Sequence, residues 1–122
     1  MAKVLIVEDD PILLKIYHKK FEIEGFQVET AIDGETGLTK IKTIMPNLVL
    51  MDIMLPKMNG IDAMEKAKAD PQTANIPFLI LTNLSTSSDA QEAMKKGAVG
   101  FLVKSAVTPA QVVAKVKEIL KI

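Results

Sequence analysis

The residues able to do chemistry stand directly behind short apolar runs. Glu8, Asp9 and Asp10 follow Val4–Val7, and Asp52 follows Leu48–Met51. Thr82 and Asn83 follow Phe78–Leu81, and Lys104 and Ser105 follow Phe101–Val103. If the four runs lie side by side and point the same way, three or four carboxylates, one hydroxyl and one ammonium share a rim. Glu8, Asp9 and Asp52 bring −3 and Lys104 brings +1, so this cluster carries −2. Adjacent unpaired carboxylates repel, and a divalent cation would relieve the conflict. Hard oxygen ligands with room for water suit Mg2+, which keeps part of its hydration shell and often bridges to a phosphate. A carboxylate nucleophile beside Mg2+ and Lys104 suits phosphoryl transfer. The metal and the ammonium would neutralise charge on the transferring oxygens, and the Thr82 hydroxyl would donate to another. Taken singly, each residue has a plainer role, as a helix cap, a turn or a solvated strand end. Their convergence on one rim is what favours chemistry.

The elements that must position these residues are legible in the hydropathy pattern. Each of the four runs is of strand length and lacks polar alternation, as strands covered on both faces of a parallel sheet do. A fifth segment, 26–32, alternates as a half-exposed edge strand would. Helical patterns lie between. Asp10-Pro11 supplies a cap and a first-position proline for a helix that carries Leu13, Ile16, Tyr17 and Phe21 and stops at Gly25. A second helix follows Asp33-Gly34 with Leu38, Ile41, Ile44 and Met45, and Pro46 ends it. A third holds Ile61, Met64 and Ala67 and ends near Asp70-Pro71. A fourth takes Ser88 or Asp89 as cap, carries Ala90, Ala93 and Met94 and stops at Gly97. A fifth starts at Thr108-Pro109 and has the clearest stripe, Val112, Val113, Val116, Ile119 and Leu120. Five βα units imply an α/β doubly wound fold: a parallel sheet with right-handed crossovers and helices on both faces. The one alternating strand, taken as an edge, favours the order 2-1-3-4-5, with the ligand site at the switch point between strands 1 and 3.

Length and composition narrow the function. The 122 residues fit one domain, 1–122, which the five units fill. Lys plus Arg and Asp plus Glu both count 15, so the chain is formally neutral, unlike one built to coat nucleic acid. Every basic residue is a lysine, which leaves no bidentate fork for phosphate or guanine. With no Cys and one His, disulfides, thiolate catalysis and Cys- or His-rich metal sites are excluded. No apolar run approaches the ~20 residues that span a bilayer, and none resembles a signal-peptide core. A cytoplasmic protein without direct nucleic-acid or membrane contact is the expectation.

Other residues take plainer readings. His18, beside Lys19 and Lys20, reads as a partly exposed helical histidine rather than a phosphotransfer group. Met51, Met54, Met58 and Met64 read as core or loop packing, with any exposed member suited to an adaptable docking surface. The segment 85–88 reads as a polar loop with a cap. Lys95 and Lys96 suit a helix C-terminus, and Gly34 and Gly37 suit a turn and helix start, too sparse for a phosphate loop.

Essentially the whole chain resembles the receiver domain of two-component response regulators, a flavodoxin-like fold with this same strand order. The most specific stretch is Met51-Asp52-Ile53-Met54-Leu55-Pro56-Lys57-Met58-Asn59-Gly60, similar to the family's phosphoacceptor segment. Val7-Glu8-Asp9-Asp10, Leu81-Thr82 and Val103-Lys104 match three further signatures in order. The resemblance implies that Asp52 accepts a phosphoryl group from a histidine kinase or phosphotransfer protein. It implies that Asp9, Asp52 and the Met54 backbone carbonyl bind Mg2+, with Glu8 acting through a metal-bound water. Lys104 would pair with the phosphoryl group, Thr82 would move to bond it, and Phe101 would be the switch aromatic. The helix 4–strand 5–helix 5 face would then change for a downstream partner or a self-dimer. Such a module is a phosphoacceptor rather than an enzyme.

Some positions depart from that pattern. Ser105 stands where the family usually has a Pro, often after a cis bond; a cis bond before a non-proline costs ~2.5–4 kcal/mol, so trans is expected. Asn83 stands where the family mostly has a small residue, and would narrow access to the phosphoryl group or add a hydrogen bond. Met54 and Leu84, at two positions that influence dephosphorylation in the family, are apolar and cannot orient a water, so slow self-hydrolysis is expected. Two other functions compete. One is a phosphorylation-independent interaction or dimerisation module, left open by Ser105 and Asn83 and opposed by Asp9, Asp52, Thr82 and Lys104. The other is an aspartyl-phosphate hydrolase of the haloacid dehalogenase type, which needs an Asp after strand 1 and another two residues on; Glu8-Asp9-Asp10 does not fit. A stand-alone protein is the expectation from the stripe running to Leu120 and the end at Ile122.

Overall fold

The computed structural model describes residues 1–83 and 87–122. Five strands, β1 (Lys3–Val7), β2 (Gln27–Ala31), β3 (Leu48–Met51), β4 (Phe78–Thr82) and β5 (Gly100–Val103), form one parallel sheet in the order β2-β1-β3-β4-β5. Between and after them lie α1 (Pro11–Ile23), α2 (Gly34–Ile44), α3 (Gly60–Ala69), α4 (Ser87–Lys95) and α5 (Pro109–Leu120). A short 3-10 helix, Lys104–Ala106, precedes α5.

Strand pleating sorts the apolar runs into two cores. Val4, Ile6, Leu48, Leu50, Leu79 and Leu81 pack with Tyr17 and Phe21 of α1 and Val112, Val113 and Val116 of α5. Their neighbours Leu5, Val7, Val49, Met51, Phe78 and Ile80 pack with Ile41 of α2, Met64 and Ala67 of α3 and Ala93 of α4. Successive side chains leave a strand on opposite faces, so an unbroken apolar run serves both layers at once. Burying this surface is the main source of stability.

The helix boundaries follow local chemistry. Asp10 caps α1 through its side chain, accepting from Ile12 and Leu13 N–H, and Pro11 opens the helix. The chain leaves α1 through Gly25 at φ +91°, a left-handed conformation that a Cβ would disfavour. Asp33 and Asn59 cap α2 and α3. Thr108 and Gln111 form a reciprocal capping box at α5.

Two expectations need correction. The helix α4 begins at Ser87, so Ser88 and Asp89 lie inside its first turn instead of capping it, and Ser87 and Ser88 are helical rather than loop. An acid in a first turn is favoured by the helix dipole, which makes Asp89 read like a cap in sequence. Leu84, Ser85 and Thr86 lie outside the described residues. Strand β5 meets a core on each face, Phe101 on one and Leu102 on the other, but it is not fully buried. As the second edge of the sheet it leaves Phe101, Leu102 and Val103 half-buried. Strand β2 is the half-exposed edge its alternation predicts. Among the described residues no helix is long and apolar enough to cross a membrane.

Gly60 shapes the approach to the sheet rim. Its N–H donates to the Ile53 carbonyl at 2.8 Å, and a Cβ there would run into the Asp52 carbonyl oxygen. The start of α3 thus lies directly on the backbone of Asp52. Gly60→Ala is expected to destabilise the fold by about 1–3 kcal/mol through this overlap, read as a lowered urea midpoint. An unchanged midpoint would contradict the close approach.

Candidate functional site

All five strands point the same way, so their carboxyl ends share one rim. There the ladder extends past β1 and β3. Glu8 N–H donates to the Ala31 carbonyl at 3.0 Å, and Asp52 N–H to the Val7 carbonyl at 3.1 Å. These bonds fix the backbones of Glu8 and Asp52 as firmly as those of the strands. Both side chains are buried, Glu8 at 3% and Asp52 at 7% exposure, whereas Asp9 between them is exposed.

Lys104 binds the two buried acids together. Its Nζ donates to Asp52 Oδ2 at 2.7 Å and forms a second, closer ion pair with Glu8 Oε1. The lysine side chain is only 9% exposed. The remaining oxygens also have partners. Asp52 Oδ1 accepts from Ile53 N–H at 2.7 Å, and Glu8 Oε2 from Asp10 N–H at 3.0 Å. Burial pushes the Glu8 carboxyl above its ordinary value, against the lowering pull of the Lys104 ammonium. Burial would lower Lys104, but its bonds to Asp52 and Glu8 outweigh this and hold its pKa above the ordinary value.

The sequence assigns Glu8 a role through water only; the structure adds a direct bond to Lys104. No sequence signal pairs these residues, which are far apart in the chain and on strands that are not neighbours. The buried Tyr17 of α1 lies beneath the acids, lining a narrow recess with Glu8 and Asp52. Burial raises its phenol pKa, with Lys104 opposing and Glu8 and Asp52 adding to the shift. Its position on the apolar stripe of α1 marks it as core.

Above the ion pair opens a cleft of about 430 Å3 lined by Glu8, Asp9, Asp52, Thr82, Asn83 and Lys104, with Met54 and Leu13 at its edge. Thr82 is buried at the end of β4, in register with Val103. Phe101 is half-buried, in register with Ile80, and packs against the core on the α2–α4 face. The Met54 side chain is 64% exposed. Lys104-Ser105 is trans, as expected. Asn83 adds the hydrogen bond considered for it, accepting from Ser105 N–H at 3.2 Å. Asp10 is committed to capping α1, and His18 pairs with Glu22 on the surface of α1.

Glu8, Asp9 and Asp52 each offer one oxygen, all within 4.8 Å of one another. Three hard carboxylate oxygens beside an open cleft fit a small divalent cation that retains waters. Glu8 and Asp52 also hold Lys104, so charge at this rim is balanced in part without metal.

Removing Lys104 exposes that dependence. The raised pKa of Glu8 means that the folded protein keeps this proton to higher pH than the unfolded chain. The resulting contribution is present below the ordinary value of 4.5 and is lost as pH rises through the folded value. Lys104→Met takes away the lowering pull and enlarges the loss. The variant is expected to be less stable than the parent by up to about 3 kcal/mol near neutral pH. The gap narrows as pH falls towards 4.5. Denaturation in a chelator at several pH values checks this, and a gap independent of pH would contradict it.

Comparison with known proteins places this geometry. The profile of the response regulator receiver domain matches residues 4–117. The DNA-binding response regulator MtrA of Mycolicibacterium smegmatis is 34% identical over 119 residues, covering 98% of this chain and 50% of that protein. The phosphate regulon transcriptional regulatory protein PhoB of Rhizobium meliloti is 30% identical over 121 residues, covering 99% of this chain and 53% of that protein. The chain thus spans about half the length of these relatives. Among solved structures, a CheY-like receiver domain protein from Methanospirillum hungatei superposes with a TM-score of 0.92 at 31% identity, covering 99% of this chain and 94% of that one. The Vibrio cholerae chemotaxis protein CheY4 gives 0.89 at 29% identity, covering 97% and 98%. The chain belongs to the response regulator receiver domain family.

Proposed function

We propose that residues 1–122 act as one phosphorylation-controlled receiver unit in a two-component phosphorelay, with Asp52 as phosphoacceptor. The observation that carries this is the Lys104 ammonium 2.7 Å from Asp52 Oδ2, at the floor of a cleft open to a donor. In the transfer, an Asp52 carboxylate oxygen attacks phosphorus and the P–N bond to a histidine of the kinase or phosphotransfer protein breaks. The histidine nitrogen keeps the electron pair. Ile53 N–H holds Asp52 Oδ1 and so orients the carboxylate. Lys104, already on Oδ2, would neutralise charge on the incoming group. Thr82, also lining the cleft, would donate its hydroxyl to a phosphoryl oxygen.

Asp9, Asp52 and the Met54 carbonyl would hold Mg2+, with Glu8 reaching it through water. Bound there, the metal would supply charge neutralisation on the phosphoryl oxygens. On phosphorylation, Thr82 and Phe101 would shift and the α4–β5–α5 face would change for a downstream partner or a second copy. The unit would work in the cytoplasm, beside the kinase domain, without touching DNA or membrane itself. The exposed apolar Met54 cannot orient water, which favours slow self-hydrolysis.

Intact mass after incubation with Mg2+ and acetyl phosphate tests this reading. One phosphoryl adduct is expected, absent in Asp52→Ala and absent without Mg2+, persisting for minutes or longer after donor removal. An adduct lost within seconds would overturn the slow hydrolysis. No adduct on an intact fold would favour a phosphorylation-independent interaction module. Many turnovers with free phosphate released would favour a hydrolase.

Metal binding has its own readout. Mg2+ alone should raise the thermal midpoint in a concentration-dependent way, because it binds the folded chain through acids that the unfolded chain does not gather. Asp9→Ala should abolish most of that rise while leaving the metal-free midpoint close to the parent, since Asp9 is exposed.

A further inference from the structure

Positions 83 and 105 stand directly behind the site residues Thr82 and Lys104, and the structure bonds them to each other. Ser105 N–H donates to Asn83 Oδ1 at 3.2 Å across 22 residues of chain. The acceptor end of the amide must be the oxygen, since its partner is an N–H. Asn83 directly follows Thr82, and Ser105 directly follows Lys104. The bond therefore ties the end of β4 to the turn that carries the lysine.

The turn needs such a tie. Lys104–Ala106 is a 3-10 helix of three residues, and Val103 ahead of it offers no side-chain cap. The first N–H groups of a helix have no acceptor within it, so Ser105 N–H would otherwise be left to water. A proline at 105 would remove that N–H and push Lys104 away from helical dihedrals. Ser105 permits the turn and exposes a donor; Asn83, lining the cleft, supplies the acceptor.

We infer that Asn83 is a positioning residue: its side-chain carbonyl clamps the Ser105 N–H and so holds the turn that presents Lys104 to Asp52 and Glu8. The inference rests on the proposed function for its consequence in phosphoryl transfer, though not for its geometry. The opposite role for a side chain that lines the cleft is to obstruct it. The two roles predict rate changes of opposite sign.

The test compares the parent chain with Asn83→Ala, Asn83→Leu and Asn83→Asp. Two NMR readouts without donor or metal report the clamp: hydrogen exchange of the Ser105 amide and the side-chain ammonium signal of Lys104. Losing one hydrogen bond of ordinary strength should speed Ser105 exchange by about three- to tenfold in Asn83→Ala and Asn83→Leu and broaden the Lys104 signal. Asn83→Asp keeps an acceptor and should keep both signals near the parent, with the thermal midpoint little changed in all variants. With acetyl phosphate and Mg2+, Asn83→Ala should accept phosphoryl more slowly than the parent by about the same factor. Unchanged exchange in Asn83→Ala, or faster phosphorylation, would overturn the clamp. If the parent chain accepts no phosphoryl group while the NMR signals respond as expected, the clamp stands and the proposed function falls.

Discussion

One ammonium holds the rim together. Parallel strands bring all their carboxyl ends to the same side, so the acids behind β1 and β3 converge whether or not their charges agree. Burying two carboxylates a few ångströms apart is expensive without a counter-ion. Lys104 supplies it from β5, reaching past β4 to both Asp52 and Glu8. The remaining oxygens of each acid are met by backbone N–H groups of Ile53 and Asp10. The exposed Asp9 is left to face solvent beside the pair. The neutral overall charge of the chain conceals this local excess of acid.

The scaffold around that interaction has little slack. The apolar runs are shared residue by residue between the two helical layers, so β1, β3 and β4 cannot slip by one position without exchanging both cores. Asp52 is held further by the ladder bond to Val7 and by α3 pressing on its backbone through Gly60. Glu8 is set by its bond to Ala31 of the neighbouring edge strand. The acids therefore sit on the rigid part of the molecule. Lys104 and Asn83 sit on connections that an exposed hydrogen bond joins.

This division also governs what the sequence reveals. The strands, the caps Asp10 and Thr108 and the α5 stripe are local patterns. Their chemistry is complete within a few residues, and the structure places them as the sequence predicts. The rim followed from strand ends plus a strand order, and Glu8, Asp9, Asp52, Thr82 and Lys104 do meet there. What was not legible depends on contacts between distant segments. The bond from Lys104 to Glu8 needs a particular side-chain path across the sheet. The bond from Asn83 to Ser105 needs the helical turn at 104–106, which three residues do not announce. The start of α4 differs from the sequence expectation because Asp89 is equally suited to a first turn and to a cap. The partial exposure of β5 is not legible in its sequence because its composition is that of a buried strand, while its place at the edge is a property of the whole sheet.

The edge position of β5 gives the site a short path to the surface. Lys104 is attached directly to a strand whose residues Phe101–Val103 are only half-buried. A central strand would meet any shift of its end with packing on both faces and ladders on both sides. Strand β5 has one ladder, to β4, in which Thr82 faces Val103 and Ile80 faces Phe101. The residue that holds the buried charge and the residue that lines the cleft therefore lie on the two strands joined by that ladder. A change in charge on Asp52 alters what Lys104 must neutralise. On the proposed function, that demand is passed to an edge strand with less packing to resist it than the central strands have, and Phe101 and the neighbouring α4 and α5 surfaces are where a partner would read it. Lys104 counters that freedom, because its ammonium ties the end of β5 to both Asp52 and Glu8. The hydrogen bond from Ser105 N–H to Asn83 adds a second tie to that strand end, from the β4 side.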